Sequence, residues 1–177
     1  MGKENPGACH SVGECVVYRG SGIYRIDDIR DEDFCGLGRR TYYVLSSVFD
    51  HSSVIFVPLD AKDIEKTLRN VLSCDQIDEV IAKAGENPVE WVEDVKSRAE
   101  YFDRLLTEGC CSDIIGIYIK MMKYKDSIES GRKKLYASDA KILAAAERII
   151  TDEFSFVLAI PKSEVLGYIS ARLSPSA

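Results

Sequence analysis

The rhythm of apolar and polar positions changes once along the chain. Over residues 1–72 the apolar positions come in short runs bounded by turn residues, and over residues 73–177 they recur at i, i+3 and i+4. Glu14–Tyr18 (ECVVY) follows Gly13, and Gly20 and Gly22 mark a turn after it. Gly22–Ile29 (GIYRIDDI) resumes with apolar and polar positions mixed, and Asp33–Gly38 (DFCGLG) reads as a loop. Thr41–Leu45 (TYYVL) and Ser53–Val57 (SVIFV) carry the aromatic and β-branched residues that strands prefer, and Pro58 stops the second run. Four or five short strands at roughly ten-residue spacing predict a small barrel or strongly curved sheet. So small a barrel leaves at least one edge strand open.

Asp60–Leu72 is mixed and reads as the start of helical structure. Cys74–Ala84 places Ile77, Val80 and Ile81 on one face, and Gly85 is expected as its C-terminal cap. Pro88–Leu106 opens with proline in a first-turn position and Glu90, Glu93 and Asp94 near the positive end of the helix dipole. Its stripe is Val92, Val95, Ala99, Phe102 and Leu106. Ser112–Lys125 carries Ile114, Ile115, Tyr118 and Met122, and Gly131 breaks the pattern. Ser138 is expected to cap a long helix to Leu158 with Ile142, Leu143, Ala146, Ile149, Ile150 and Phe154 inward. Pro161 ends it, and Ser163–Leu173 adds a terminal helix. The fold class is therefore α+β, with a β domain over residues 1–72 and an all-α domain over residues 73–177. No Pro- or Gly-rich linker separates them.

Composition narrows the function. The 177 residues suit one ordinary domain or two small ones. Lys and Arg number 23 against 29 Asp and Glu, a net charge of −6, which excludes a broadly basic, non-specific nucleic-acid binder. No apolar run is long enough to span a membrane, and the N-terminus lacks the apolar segment of a secretion signal. Gly2 lacks the following Ser or Thr of a myristoylation signal. The six cysteines, Cys9, Cys15, Cys35, Cys74, Cys110 and Cys111, form no C-x-x-C pair and read as reduced thiols. The vicinal Cys110 and Cys111 read as small buried packing residues. Cys9, His10 and Cys15 could supply soft ligands, but no second cluster completes a zinc site, so no metal is expected. His10 and His51 sit in no catalytic frame, no phosphate-binding loop is present, and a Cys–His pair using His51 lacks an orienting third group. The chain is expected to be no enzyme, with no cofactor, no small-molecule substrate and no membrane partner.

Charge is unevenly spread. Residues 1–80 hold 9 basic and 14 acidic side chains, and residues 81–177 hold 14 and 15. Within Lys120–Lys141, seven basic residues (Lys120, Lys123, Lys125, Arg132, Lys133, Lys134, Lys141) face three acids (Asp126, Glu129, Asp139). A basic helix–loop–helix junction of this kind is either a phosphate contact or an ordinary solvated surface. Trp91, the sole tryptophan, is either packed at the core or rim or an exposed wedge that stacks on a base at a distorted step.

The motifs VGECVVYRGSGIYRIDDI (12–29), TYYVL (41–45), VIFVPLD (54–60), NPVEW (87–91) and YASDAKILAAAERIITDEFSFVLA (136–159) occur in an order that resembles the CarD/CdnL-like bacterial transcription regulators. The N-terminal motifs are similar to the RNA-polymerase-interacting domain of transcription-repair coupling factors. The resemblance covers about residues 12–160. It implies a Tudor-like N-terminal domain that binds the RNA polymerase β subunit, and a helical C-terminal domain that contacts promoter DNA beside the −10 element. At the position matching Trp91, the family's tryptophan wedges into the minor groove at the upstream edge of the melted bubble. Where relatives often carry an arginine before V-P this chain has Phe56, so either Arg39 and Arg40 or Arg25 and Arg30 are expected to supply the charge beside Phe56 and Pro58. The implied DNA contacts are Trp91, Lys96, Arg98, Lys123, Lys125, Arg132, Lys133, Lys134 and Lys141. The implied location is cytoplasmic, on the nucleoid through RNA polymerase. Val92, Glu93 and Asp94 stand where relatives often have basic residues, which favours a competing reading: an adaptor that binds polymerase or another protein without touching DNA.

Overall fold

The short β-branched and aromatic runs become strands β1 (Cys15–Tyr18), β2 (Ile23–Glu32), β3 (Arg40–Ser47) and β4 (Val54–Pro58). A single helical turn, α1 (Ile64–Thr67), leads into a fifth strand, β5 (Leu68–Asn70). The computed structural model describes residues 9–18, 21–34, 36, 38–50, 53–86, 88–131 and 134–173. The chain divides into two compact units, Met1–Val71 and Leu72–Ala177.

In the first unit the strand order is β4-β3-β2-β1-β5, and every neighbouring pair is antiparallel. The expected barrel is replaced by an open sheet whose edges are β4 and β5. A five-residue and a three-residue edge strand offer too few backbone groups to close a ring. The helical start expected over Asp60–Leu72 shrinks to one turn, because Leu68 is 1% exposed and its backbone pairs with Tyr18 on β1. On the core face Ile26, Leu45 and Ile55 stand in register, as do Ile29, Tyr43 and Val57. The ladder shifts register between Ile26 and Asp28, a bulge that makes Asp27 the extra residue. Core-facing positions on β2 therefore run Tyr24, Ile26, Ile29, which is why the sequence there looked mixed.

The second unit contains α2 (Cys74–Glu86), α3 (Val95–Glu108), α4 (Cys111–Glu129), α5 (Ala137–Leu158) and α6 (Lys162–Leu173). Their apolar stripes meet in one core that includes Ile77, Phe102, Ile115, Met121, Ala146, Phe154 and Ile169. Gly85 lies inside α2 rather than capping it. A Cβ there would sit 3.1 Å from Leu173 Cδ2, so the glycine leaves room for α6. The cap of α5 is Tyr136, not Ser138, and its end is a left-handed Ala159 followed by Pro161. Cys110 is exposed and caps α4, whereas Cys111 is buried.

Helix α3 begins at Val95, seven residues beyond the expected Pro88. Asp94 caps it by accepting from the Ser97 amide at 2.8 Å and the Ser97 hydroxyl at 2.7 Å. A side chain that bonds its own backbone this well starts a helix at itself and leaves residues 88–94 irregular.

Two outcomes follow from this packing. Leu45→Ala removes a fully buried side chain between Ile26 and Ile55, and urea unfolding should show a loss of about 2–5 kcal/mol. The Ser97 hydroxyl and amide hold the Asp94 carboxyl below the usual carboxylate range. A depressed native pKa stabilises above the unfolded pKa, and that gain disappears as pH falls through the native value. Thermal melts should show wild type more stable than Asp94→Ala at neutral pH, with the gap closing at acidic pH; a pH-independent gap contradicts the cap's ionic role.

Candidate protein and nucleic-acid interfaces

Residues paired across strands share a face of the sheet. On the face opposite the core, Arg25 pairs with Ser46, Asp28 with Val44, Arg30 with Tyr42 and Glu32 with Arg40. Val44 pairs onward with Phe56 and Tyr42 with Pro58. Five of the six residues expected at a polymerase contact, Arg25, Arg30, Arg40, Phe56 and Pro58, thus share one face. Arg39 lies just before β3 and is exposed.

The centre of that face is aromatic. Phe34 stacks edge-on against Tyr42 and against Phe56, each at 5.1 Å between ring centroids. The Arg30 guanidinium lies 5.5 Å from the Phe56 ring centroid. It is also paired with Glu32 at 2.8 Å and Asp28 at 3.7 Å. Arg25 is paired with Asp27 at 2.8 Å and Arg40 with Asp60 at 3.7 Å. Arg39 forms no ion pair among the described residues. Exposed pairs such as these hold their partners weakly, so the arginines can exchange them at an interface. Phe34, 42% exposed, and Tyr42 were missed by sequence reasoning, which weighed the loop and strand separately.

In the second unit, the expected DNA residues separate into two groups. Trp91 and Arg98 belong to a tightly packed centre. Trp91 is half-buried and lies in the irregular stretch before α3, not on a helix. Its ring is 4.6 Å from Tyr124 on α4, 6.2 Å from Phe102 on α3 and 4.4 Å from the Arg98 guanidinium carbon. Two residues before it, Val89 is seated on Gly116 of α4, where a Cβ would come within 3.1 Å of Val89 Cγ1.

Arg98 corrects one expectation. It is 1% exposed and makes a two-pronged ion pair with Asp139 on α5, itself fully buried. Arg98 Nε donates to Asp139 Oδ1 at 3.1 Å and Nη2 to Oδ2 at 2.7 Å. Nη1 donates to the carbonyls of Val92 at 2.7 Å and Glu93 at 3.0 Å. These bonds to Asp139 raise the arginine's pKa further above its ordinary value. A guanidinium with four of its five N–H donors engaged and only 1% exposed is closed to a phosphate. The signal was available in the sequence: Arg98 stands four residues before Phe102 on the α3 stripe, and Asp139 stands on the α5 stripe with Ile142, Leu143 and Ala146. Opposite charges on two apolar stripes mark a buried pair.

The second group is exposed. Lys96 is in the first turn of α3, Lys123 on α4, Lys134 in the connection before α5 and Lys141 on α5, with Lys125 half-buried on α4. Among the described residues none of these lysines forms an ion pair. Tyr136, in the same connection as Lys134, is 56% exposed. Arg132 and Lys133 lie outside the described residues, as do Cys35 and His51. His10 is buried and donates its amide to the Tyr43 hydroxyl at 3.2 Å. Among the described residues no group of three or more His, Cys, Asp or Glu could hold a metal ion. Among them, too, no helix is long and apolar enough to cross a membrane.

No curated protein matches the chain. A protein-family model does match, and it covers the whole sheet described above together with α1. Residues 10–72 match the model of the CarD-like/TRCF RID domain.

Proposed function

We propose that this protein is a non-enzymatic transcription regulator that binds the RNA polymerase β subunit through the outer face and edges of its sheet. Its helical unit then stabilises the promoter open complex, with Trp91 as a minor-groove wedge near the −10 element. The observation that carries this reading is the family match of residues 10–72. Arg30 supports it further: its guanidinium over Phe56 supplies, from β2, the positive charge that CarD-like relatives often carry at position 56 itself. An open sheet edge also suits strand addition, which recognises main-chain groups.

The chain is acidic, and affinity for DNA then has to come from the polymerase. Two weak contacts joined in one molecule act through effective concentration. The lysines at 96, 123, 125, 134 and 141, with Arg132 and Lys133, add a modest phosphate attraction. Trp91 stabilises the melted state only by binding it better than the closed duplex. The reading carries a location with it: the cytoplasm, on the nucleoid through polymerase.

Exposed Glu90 and Glu93 flank Trp91 and favour the second reading, an adaptor that touches polymerase or another protein but not DNA. Footprinting of a promoter with polymerase separates the two, since the adaptor leaves the DNA protection pattern unchanged. Trp91→Ala should keep polymerase binding and shorten open-complex lifetime about tenfold, the lower range of a lost aromatic–base stack worth about 1–3 kcal/mol. An unchanged lifetime at saturating protein removes the wedge. Arg30→Glu combined with Phe56→Ala should weaken binding to the isolated β-subunit lobe at least about tenfold, or roughly 1.4 kcal/mol.

A further inference from the structure

The buried ion pair beneath Trp91 has more contacts than stability alone calls for. A pair of buried charges is at best neutral for stability against well-packed apolar residues of the same volume. What an apolar pair cannot do is bond two successive carbonyls and present a flat cation to a ring. Arg98 does both. Its Nη1 holds the carbonyls of Val92 and Glu93, the two residues that follow Trp91. The guanidinium lies over the Trp91 ring at 4.4 Å. Its remaining prongs are fixed by Asp139, which is 0% exposed on α5.

We infer that Arg98 and Asp139 are positioning residues for Trp91. They form a chain of contacts from α5 through α3 to the backbone and ring of the tryptophan, and this sets the angle at which its free edge faces solvent. Tyr124 closes the opposite constraint from α4 at 4.6 Å, and the seat of Val89 on Gly116 fixes the approach of the backbone. The irregular stretch 88–94 is otherwise free to wander, since a segment without regular structure has no ladder of its own to hold it. With the ring already immobilised, inserting it at a DNA step costs little further ordering. This assignment rests on the wedge reading for its consequence at the promoter, though not for its geometry.

Trp91 is the only tryptophan, so its fluorescence reports this site without labelling. In the wild-type protein, time-resolved anisotropy should decay with overall tumbling and show no dominant fast motion of the indole. A dominant local component on the nanosecond scale or faster overturns the inference with no variant needed. Asp139→Asn keeps the shape and removes the charge; Arg98→Lys keeps the charge and removes the fork. In whichever of these folds, judged by circular dichroism, acrylamide quenching should rise about twofold or more as the ring loosens, and a fast anisotropy component should appear. Open-complex lifetime should fall toward that of Trp91→Ala, with binding to the polymerase β lobe unchanged. Tyr124→Phe, which keeps a ring at that position, should preserve the wild-type signal. A folded Asp139→Asn or Arg98→Lys protein with wild-type quenching and anisotropy overturns the positioning role. If Trp91→Ala itself leaves the lifetime unaltered, the wedge fails, and the fluorescence alone then decides whether the clamp exists.

Discussion

One guanidinium organises the helical unit around its tryptophan. Arg98 is buried on α3, opposed by the carboxylate of Asp139 on α5, and both Nη1 donors go to the backbone immediately after Trp91. Removing either charge leaves the other stranded in the core, a cost of about 3–5 kcal/mol in comparable pairs. The pair therefore constrains more than it stabilises: α3 starts at Val95, the preceding segment stays irregular, and the ring lies between a cation and Tyr124. The local cap at Asp94 agrees with this arrangement, because a helix that started earlier would bury the Val92 and Glu93 carbonyls in its own hydrogen bonds.

The sheet unit solves a different problem. Its core face centres on Val16, Tyr24, Ile26, Tyr43, Leu45 and Val57, while its other face combines an aromatic cluster with arginines already answered by neighbouring acids. Exposed pairs of this kind are weak, so the arginines can exchange their partners for better acceptors. The bulge at Asp27 turns β2 so that Asp28 and Arg30 join Phe56 and Tyr42 on that face. A cation therefore reaches the Phe56 ring from β2, a neighbouring part of the sheet, rather than from β4 itself.

Much of both units was legible before the fold. Alternating and β-branched runs marked four of the strands, since a half-buried strand needs that pattern and little else. The stripes Ile77/Ile81, Phe102/Leu106 and Ile142 through Phe154 marked helices by their period. Three features were misread for one reason, that each depends on a neighbour distant in sequence. Gly85 looked like a cap, but Leu173 makes it a notch. Leu68–Asn70 looked helical, but β1 recruits it as an edge strand. Arg98 looked like a DNA contact, although its place on an apolar stripe opposite Asp139 argued otherwise.

The amino-acid sequence by itself determined the α+β class, the change of rhythm near residue 72, the net charge of −6 and the presence of a single tryptophan. Each depends on local composition or on a repeat within a few residues, which short-range sterics and burial decide. Only the tertiary structure decided that the sheet stays open, that Arg25, Arg30, Arg40, Phe56 and Pro58 share a face, and that Trp91 is held half-buried by charges 7 and 48 positions away in the chain. Those outcomes depend on which side chains share a desolvated space, and a buried charge or an unpaired edge has no meaning until the surrounding elements exclude water.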